Sequence, residues 1–134
     1  MDINNESELQ KLHESCKEQL SGLTFLDDEA KFLKSLLDKY FPSMVRDTHM
    51  NRVQLISSQL LQLCKLKAII HRDTELHQVN LNSTINNLSA KSLGFLNLEN
   101  DRIDDEIKDL NKYFKNIKVE IFTVYKEHHE DISG

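Results

Sequence analysis

Apolar side chains recur every seven residues in three separate stretches of the chain. In the first, Leu9, Cys16, Leu23, Ala30 and Leu37 form one row, and Leu12, Leu26, Leu33 and Tyr40 form a second. Two interleaved rows at this spacing fall on one edge of a helix, the seam by which long helices pack side by side. In the last stretch Ile107, Phe114 and Ile121 alternate with Ile103, Leu110, Ile117 and Val124, so every seam position from 103 to 124 is apolar. The middle stretch carries Val53, Ile56, Leu60, Leu63, Ile70, Leu81 and Leu88, with Lys67, Thr74 and His77 interrupting the row. The pattern predicts an all-α fold, an antiparallel bundle of three long helices over residues 5–41, 44–91 and 98–130, in one domain spanning 1–134.

Local signals place the ends. Asn5 with Glu8 makes a capping box for the first helix, and Phe41-Pro42 ends it. Ser21-Gly22 invites a kink near Gly22, or a fresh start at Thr24 ahead of Asp27 and Asp28, although the seam keeps its phase across the pair. Ser43 or Asp47 suits the start of the second helix. Between Asn80 and Asn87 lie four Asn with a Ser and a Thr, side chains that compete for backbone hydrogen bonds. The second helix therefore fades near 79 or runs on to 91 with a kink near Asn80; Leu81, Ile85 and Leu88 on one face favour the longer form. Leu93 to Leu98, around Gly94, reads as a turn. Asn97 then caps a third helix whose early acids, Glu99, Asp101, Asp104, Asp105 and Glu106, suit its positive end.

With a rise of about 1.5 Å per residue, the first hairpin should pair residues whose numbers total about 85, and the second about 188. Gln19 then faces Lys67. The two hairpins come out offset, so 28–40 and 45–57 extend past the end of the third helix, and 81–90 and 98–107 past the start of the first. Phe25, Phe32 and Leu36 form a second apolar stripe on the first helix, where that offset leaves least cover. An exposed stripe of this kind calls for a partner, and a homodimer or another helical protein is expected; the alternative is a monomer in which the second helix ends near 79, the Asn-rich segment folds back and three near-equal helices bury the stripe.

Composition narrows the alternatives. The chain has 134 residues with three Gly, one Pro and no Trp, too few turn residues for a β-rich fold. A net charge of −5 and a pI near 5.6 oppose attraction to nucleic-acid phosphates or anionic lipid, and no nucleic-acid partner is expected. No apolar run approaches the roughly 18–20 residues of a transmembrane helix, and the acidic start (Asp2, Glu6, Glu8) lacks the blocks of a signal peptide, which predicts a cytoplasmic protein. Cys16 and Cys64 are read as buried free thiols.

Candidate chemistry is sparse. His71 and Glu75 stand one helical turn apart and the pairing rule brings His13 near them, the makings of a metal- or ligand-binding bundle. The facing residues Phe114, Lys115, Ile117 and Lys118 supply no further ligand, and surface solvation explains the same histidines. His49 and His77 lie about 42 Å apart at helical rise and cannot share a ligand. His128 and His129 sit between Glu127 and Glu130 at the end of the last helix. Neither cysteine adjoins a basic cluster that would activate it, and Gly22, Gly94 and Gly134 are too dispersed for a phosphate loop. No cofactor and no enzymatic activity are expected.

The run Leu23-Thr-Phe25-Leu-Asp-Asp-Glu29-Ala-Lys31-Phe32-Leu33-Lys-Ser-Leu36-Leu37-Asp-Lys39-Tyr40-Phe41 resembles the first long helix of small, uncharacterised bacterial helical proteins. These share an aromatic, an acidic pair and a Phe-Leu-x-x-Leu-Leu run. Ile121-Phe122-Thr-Val124-Tyr-Lys126 is similar to their closing helix. The resemblance implies an antiparallel long-helix bundle with no assigned activity and carries over no functional residue. The resulting expectation is a structural or interaction module that self-associates through Phe25, Phe32 and Leu36.

Overall fold

A computed structural model of the protein describes residues 3–44, 50–86 and 92–133, with side chains over 5–39, 51–86 and 92–127. Three long helices account for nearly all of them: α1 (Ile3–Met44), α2 (Met50–Ile85) and α3 (Leu93–Ser133). No strand occurs among the described residues. Within them no helix is long and apolar enough to cross a membrane.

The seam follows the expected rows, except that Ile107 of α3 is only half-buried. Leu9, Leu12, Cys16, Leu23, Leu26, Ala30, Leu33 and Leu37 are all buried along one edge of α1, as are Val53, Ile56, Leu60 and Leu63 on α2 and Leu110, Phe114, Ile117 and Ile121 on α3. Tyr40 lies outside the described side chains. Burial of each large aliphatic is worth about 1.5–3 kcal/mol, which outweighs the helix-propensity penalties of individual residues. Gly22 illustrates this: α1 passes through it without interruption, and it faces open space with nothing within 4 Å of where a Cβ would stand.

Helix ends depart from the expected positions. α1 begins at Ile3, so Asn5 and Glu8 lie inside the helix and make no capping box at its start, and it runs through Pro42 to Met44. Ser43 is therefore in the last turn of α1 rather than a cap for α2, which starts at Met50; Asp47 is outside the described residues. α2 ends at Ile85, between the two expected limits, and Leu88 falls outside the described residues. Past residue 79 the Thr84 hydroxyl donates to the Asn80 carbonyl at 2.8 Å, and the Asn86 amide to the Asn82 carbonyl at 3.0 Å. Polar side chains that compete with a helix thus bond back onto it. α3 begins five residues early because Ser92, not Asn97, caps it: the Ser92 hydroxyl accepts from the Phe95 amide at 3.0 Å and its carbonyl from the Leu96 amide at 3.1 Å. Gly94 lies in the first turn of α3, and the acids from Glu99 onward fall beyond that turn.

The chain divides into two compact units, each with a segment of every helix. Unit 1 comprises Met1–Phe25 and Lys67–Asp109; unit 2 comprises Leu26–Leu66 and Leu110–Gly134. In unit 1, Leu9, Leu12 and Cys16 cluster with Leu81 and Leu96, while Cys16 Sγ lies 3.7 Å from the Thr74 carbonyl. α1 runs antiparallel to α2 there, in a register that sets Cys16 beside Thr74. The expected register would have set it beside Ile69, which is instead 48% exposed. Gln19 correspondingly turns to α3 rather than to Lys67.

In unit 2, Lys118 pairs with Glu29 at 3.4 Å, and Arg52 pairs with Glu127 and, at 3.5 Å, with Glu120. These pairs set α3 alongside Glu29 of α1 and Arg52 of α2, so the expected overhang does not occur at those residues; 45–49 lie outside the described residues. The contact of Leu9 and Leu12 with Leu81 and Leu96 removes the matching overhang in unit 1. Both expected offsets follow from helix ends that differ from the observed ones: α1 reaches Met44 rather than 41, α2 stops at Ile85 rather than 91, and α3 starts at Leu93 rather than 98.

Candidate functional site

His71 Nδ1 lies 2.9 Å from Glu75 Oε1, an i,i+4 pair on α2, about a third and over half exposed respectively. His13 is half-buried on α1, with Nδ1 enclosed and unpartnered. Cys16, one turn after His13, reaches Thr74, which carries the α1 row toward His77 rather than toward His71 and Glu75. Among the described residues no three His, Cys, Asp or Glu side chains converge as a metal site would require. His49, His128 and His129 are outside the described side chains.

Of the three expected interface residues, Phe25 is 65% exposed in unit 1; in unit 2 Phe32 is 63% exposed and Leu36 is half-buried. Their exposure follows from position: they flank the buried rows of α1 on its outward side. The cysteines divide. Cys16 is enclosed, and burial pushes its thiol up to about 11, whereas Cys64 is exposed, contrary to expectation, because it follows Leu63 off the seam. Cys64 lines a groove in unit 2 with Ala30, Lys34, Leu37, Ser57 and Leu60.

The most distinctive chemistry lies inside unit 1, and the sequence reading did not single it out. Gln19 of α1, Thr74 and His77 of α2 and Asn100 of α3 are all buried, giving every helix at least one polar member. The Gln19 amide nitrogen donates to Asp104 Oδ1 at 2.7 Å and Asn100 Oδ1 at 3.1 Å, with the Asn100 carbonyl at 3.4 Å. Three acceptors surround a group with two protons, while Gln19 Oε1 is buried with no partner. Thr74 satisfies itself, its hydroxyl donating to the Ile70 carbonyl at 2.7 Å.

His77 is only 1% exposed, and neither ring nitrogen completes a hydrogen bond of good geometry, although Asn100 stands close. Burial holds its pKa below the ordinary 6.5, outweighing the favourable influence of Asn100, Glu99 and Asp104. At the rim, Arg102 gathers Glu106 at 2.8 Å, Glu99 at 3.0 Å and Asp73 at 3.6 Å, which lowers the Glu99 pKa and raises that of Arg102.

A signal for this layer existed. Extending the α3 repeat backward from Ile107 and Ile103 by seven places Asn100 and Leu96 on the seam, opposite the interruption at His77. Comparison with protein-family models, with curated proteins and with solved structures finds no match.

Proposed function

We propose that the chain is a non-catalytic helical interaction module that pairs with a second copy of itself, or with another helical protein, through the outward side of α1 at Phe25, Phe32 and Leu36. The observation that carries this reading is the exposure of Phe32 at 63% on a helix whose inward edge is already closed by Leu26, Ala30, Leu33 and Leu37. A large aromatic that its own core does not use is apolar surface available to a partner. On the same reading the module works in the cytoplasm, and it works without nucleic acid, the latter supported by the net charge of −5.

Sedimentation of the wild type and of Phe32→Glu tests it. The wild type should sediment as a dimer and the variant as a monomer, with the same helical content by circular dichroism, because the substitution adds charge outside the core. A monomeric wild type, or an unchanged mass in the variant, removes Phe32-mediated self-association.

A further inference from the structure

Burying a polar group that gains no partner costs roughly 1–3 kcal/mol. Unit 1 encloses such groups on four side chains, Gln19 Oε1 and the His77 ring in one layer and His13 Nδ1 and Glu106 Oε2 besides. The five buried polar residues among those described, Gln19, Thr74, His77, Thr84 and Asn100, all belong to unit 1. Of these His77 alone is titratable near neutral pH.

We propose that this layer is an acid-operated latch: with a neutral imidazole it lets the three segments of unit 1 close, and protonation of His77 opens unit 1 while unit 2 stays packed. The surroundings of the ring bear this out element by element. From α3, Glu99 and Asp104 favour a cation and Arg102 opposes one. Glu99 is engaged by Arg102 through both carboxylate oxygens and Asp104 accepts from the Gln19 amide through Oδ1, so the carboxylates nearest the ring are shared with contacts that join or cap the layer.

From α1 come Cys16, whose buried thiol stays protonated and donates to the Thr74 carbonyl one turn before His77, and His13, one turn before Cys16. From α2 itself Asp73 is turned to Arg102 at the rim. A proton on His77 therefore places charge in an interior whose nearest carboxylates already serve Arg102 and Gln19.

The direction follows from linkage. An unfolded or opened chain takes up the proton at the ordinary 6.5, the closed one only at lower pH, so closure is fully stable above that value and weakens as pH falls from 6.5 toward the depressed one. Glu99, also depressed, adds its own loss only below its ordinary 4.5, outside this window.

The test is amide hydrogen exchange between pH 7.5 and 5.5, corrected for intrinsic rates, on the full chain. Buried amides of unit 1 should gain opening by up to about tenfold per pH unit, the most that one proton can impose, while those of unit 2 do not change. His77→Leu, close in volume and without ring nitrogens, should abolish the gain. Independently of any variant, the His77 ring in the wild type should titrate below 6.5 by NMR. A ring titrating at or above that value, an equal acid response in both units, or an undiminished response in His77→Leu would overturn the proposal.

Discussion

Along α1 the seam passes from Leu9, Leu12, Cys16 and Gln19 in unit 1 to Leu26, Ala30, Leu33 and Leu37 in unit 2 with no change of phase, yet the interiors it helps to build differ in kind. In unit 2 the buried side chains among those described are all apolar, with Phe114, Ile117 and Ile121 of α3 closing the same interior as Val53, Ile56 and Leu60 of α2. Its polar contacts between helices, Glu29 with Lys118 and Arg52 with Glu120 and Glu127, are partly exposed ion pairs at the rim. Such pairs help set register but are worth at most about 1 kcal/mol each.

Unit 1 turns this arrangement inside out. Its apolar cluster of Leu9, Leu12, Cys16, Leu81 and Leu96 is followed by a layer in which Gln19 reaches two side chains of α3 and His77 lies near Asn100 without a bond of good geometry. A heptad thus decides which positions are enclosed without deciding how an enclosed polar group is satisfied. Threonine bonds to its own helix, glutamine to a neighbouring one, and histidine here to neither.

The contrast can be broken by substitution. Phe114→Ala should have the largest effect, a loss of about 3–5 kcal/mol in denaturant unfolding, because it removes a large aromatic that is buried in unit 2 and carries Lys118 Nζ over its ring at 4.8 Å. A loss near 1 kcal/mol would mean that unit 2 is loosely packed and the contrast is wrong. Gln19→Ala should cost less, about 1–3 kcal/mol, since it leaves Asn100 Oδ1 and Asp104 without their donor but removes the unpartnered Gln19 Oε1 at the same time. Neutral behaviour would show that the layer is already hydrated and carries no strain.

How much of this was legible in the chain depends on the scale of the interaction. The repeat identified the buried edge of α1 residue by residue from Leu9 to Leu37, because burial of a whole row is worth many kcal/mol and tolerates little else. Helix ends are less legible, since one cap competes with another at about 1 kcal/mol: Ser92 wins over Asn97, and α2 continues past residue 79 with the Thr84 hydroxyl bonded back to Asn80. The register inherited those errors. Ending α1 at 41 with α2 from 44 sets Gln19 against Lys67, and carrying α2 to 91 with α3 from 98 gives the overhang and separates Gln19 and His77 from Asn100. Exposure of Phe25 and Phe32 came through because it depends only on angular position around α1, which the phase of the seam already sets.

Native-state hydrogen exchange at pH 7.5 tests the difference between the two interiors most directly. The slowest amides should fall in unit 2, around Leu110, Phe114 and Ile117, and buried seam positions beside Gln19, His77 and Asn100 should exchange through openings of measurably lower free energy. Uniform protection across both units, or slower exchange around His77 than around Phe114, would contradict a polar layer that weakens unit 1.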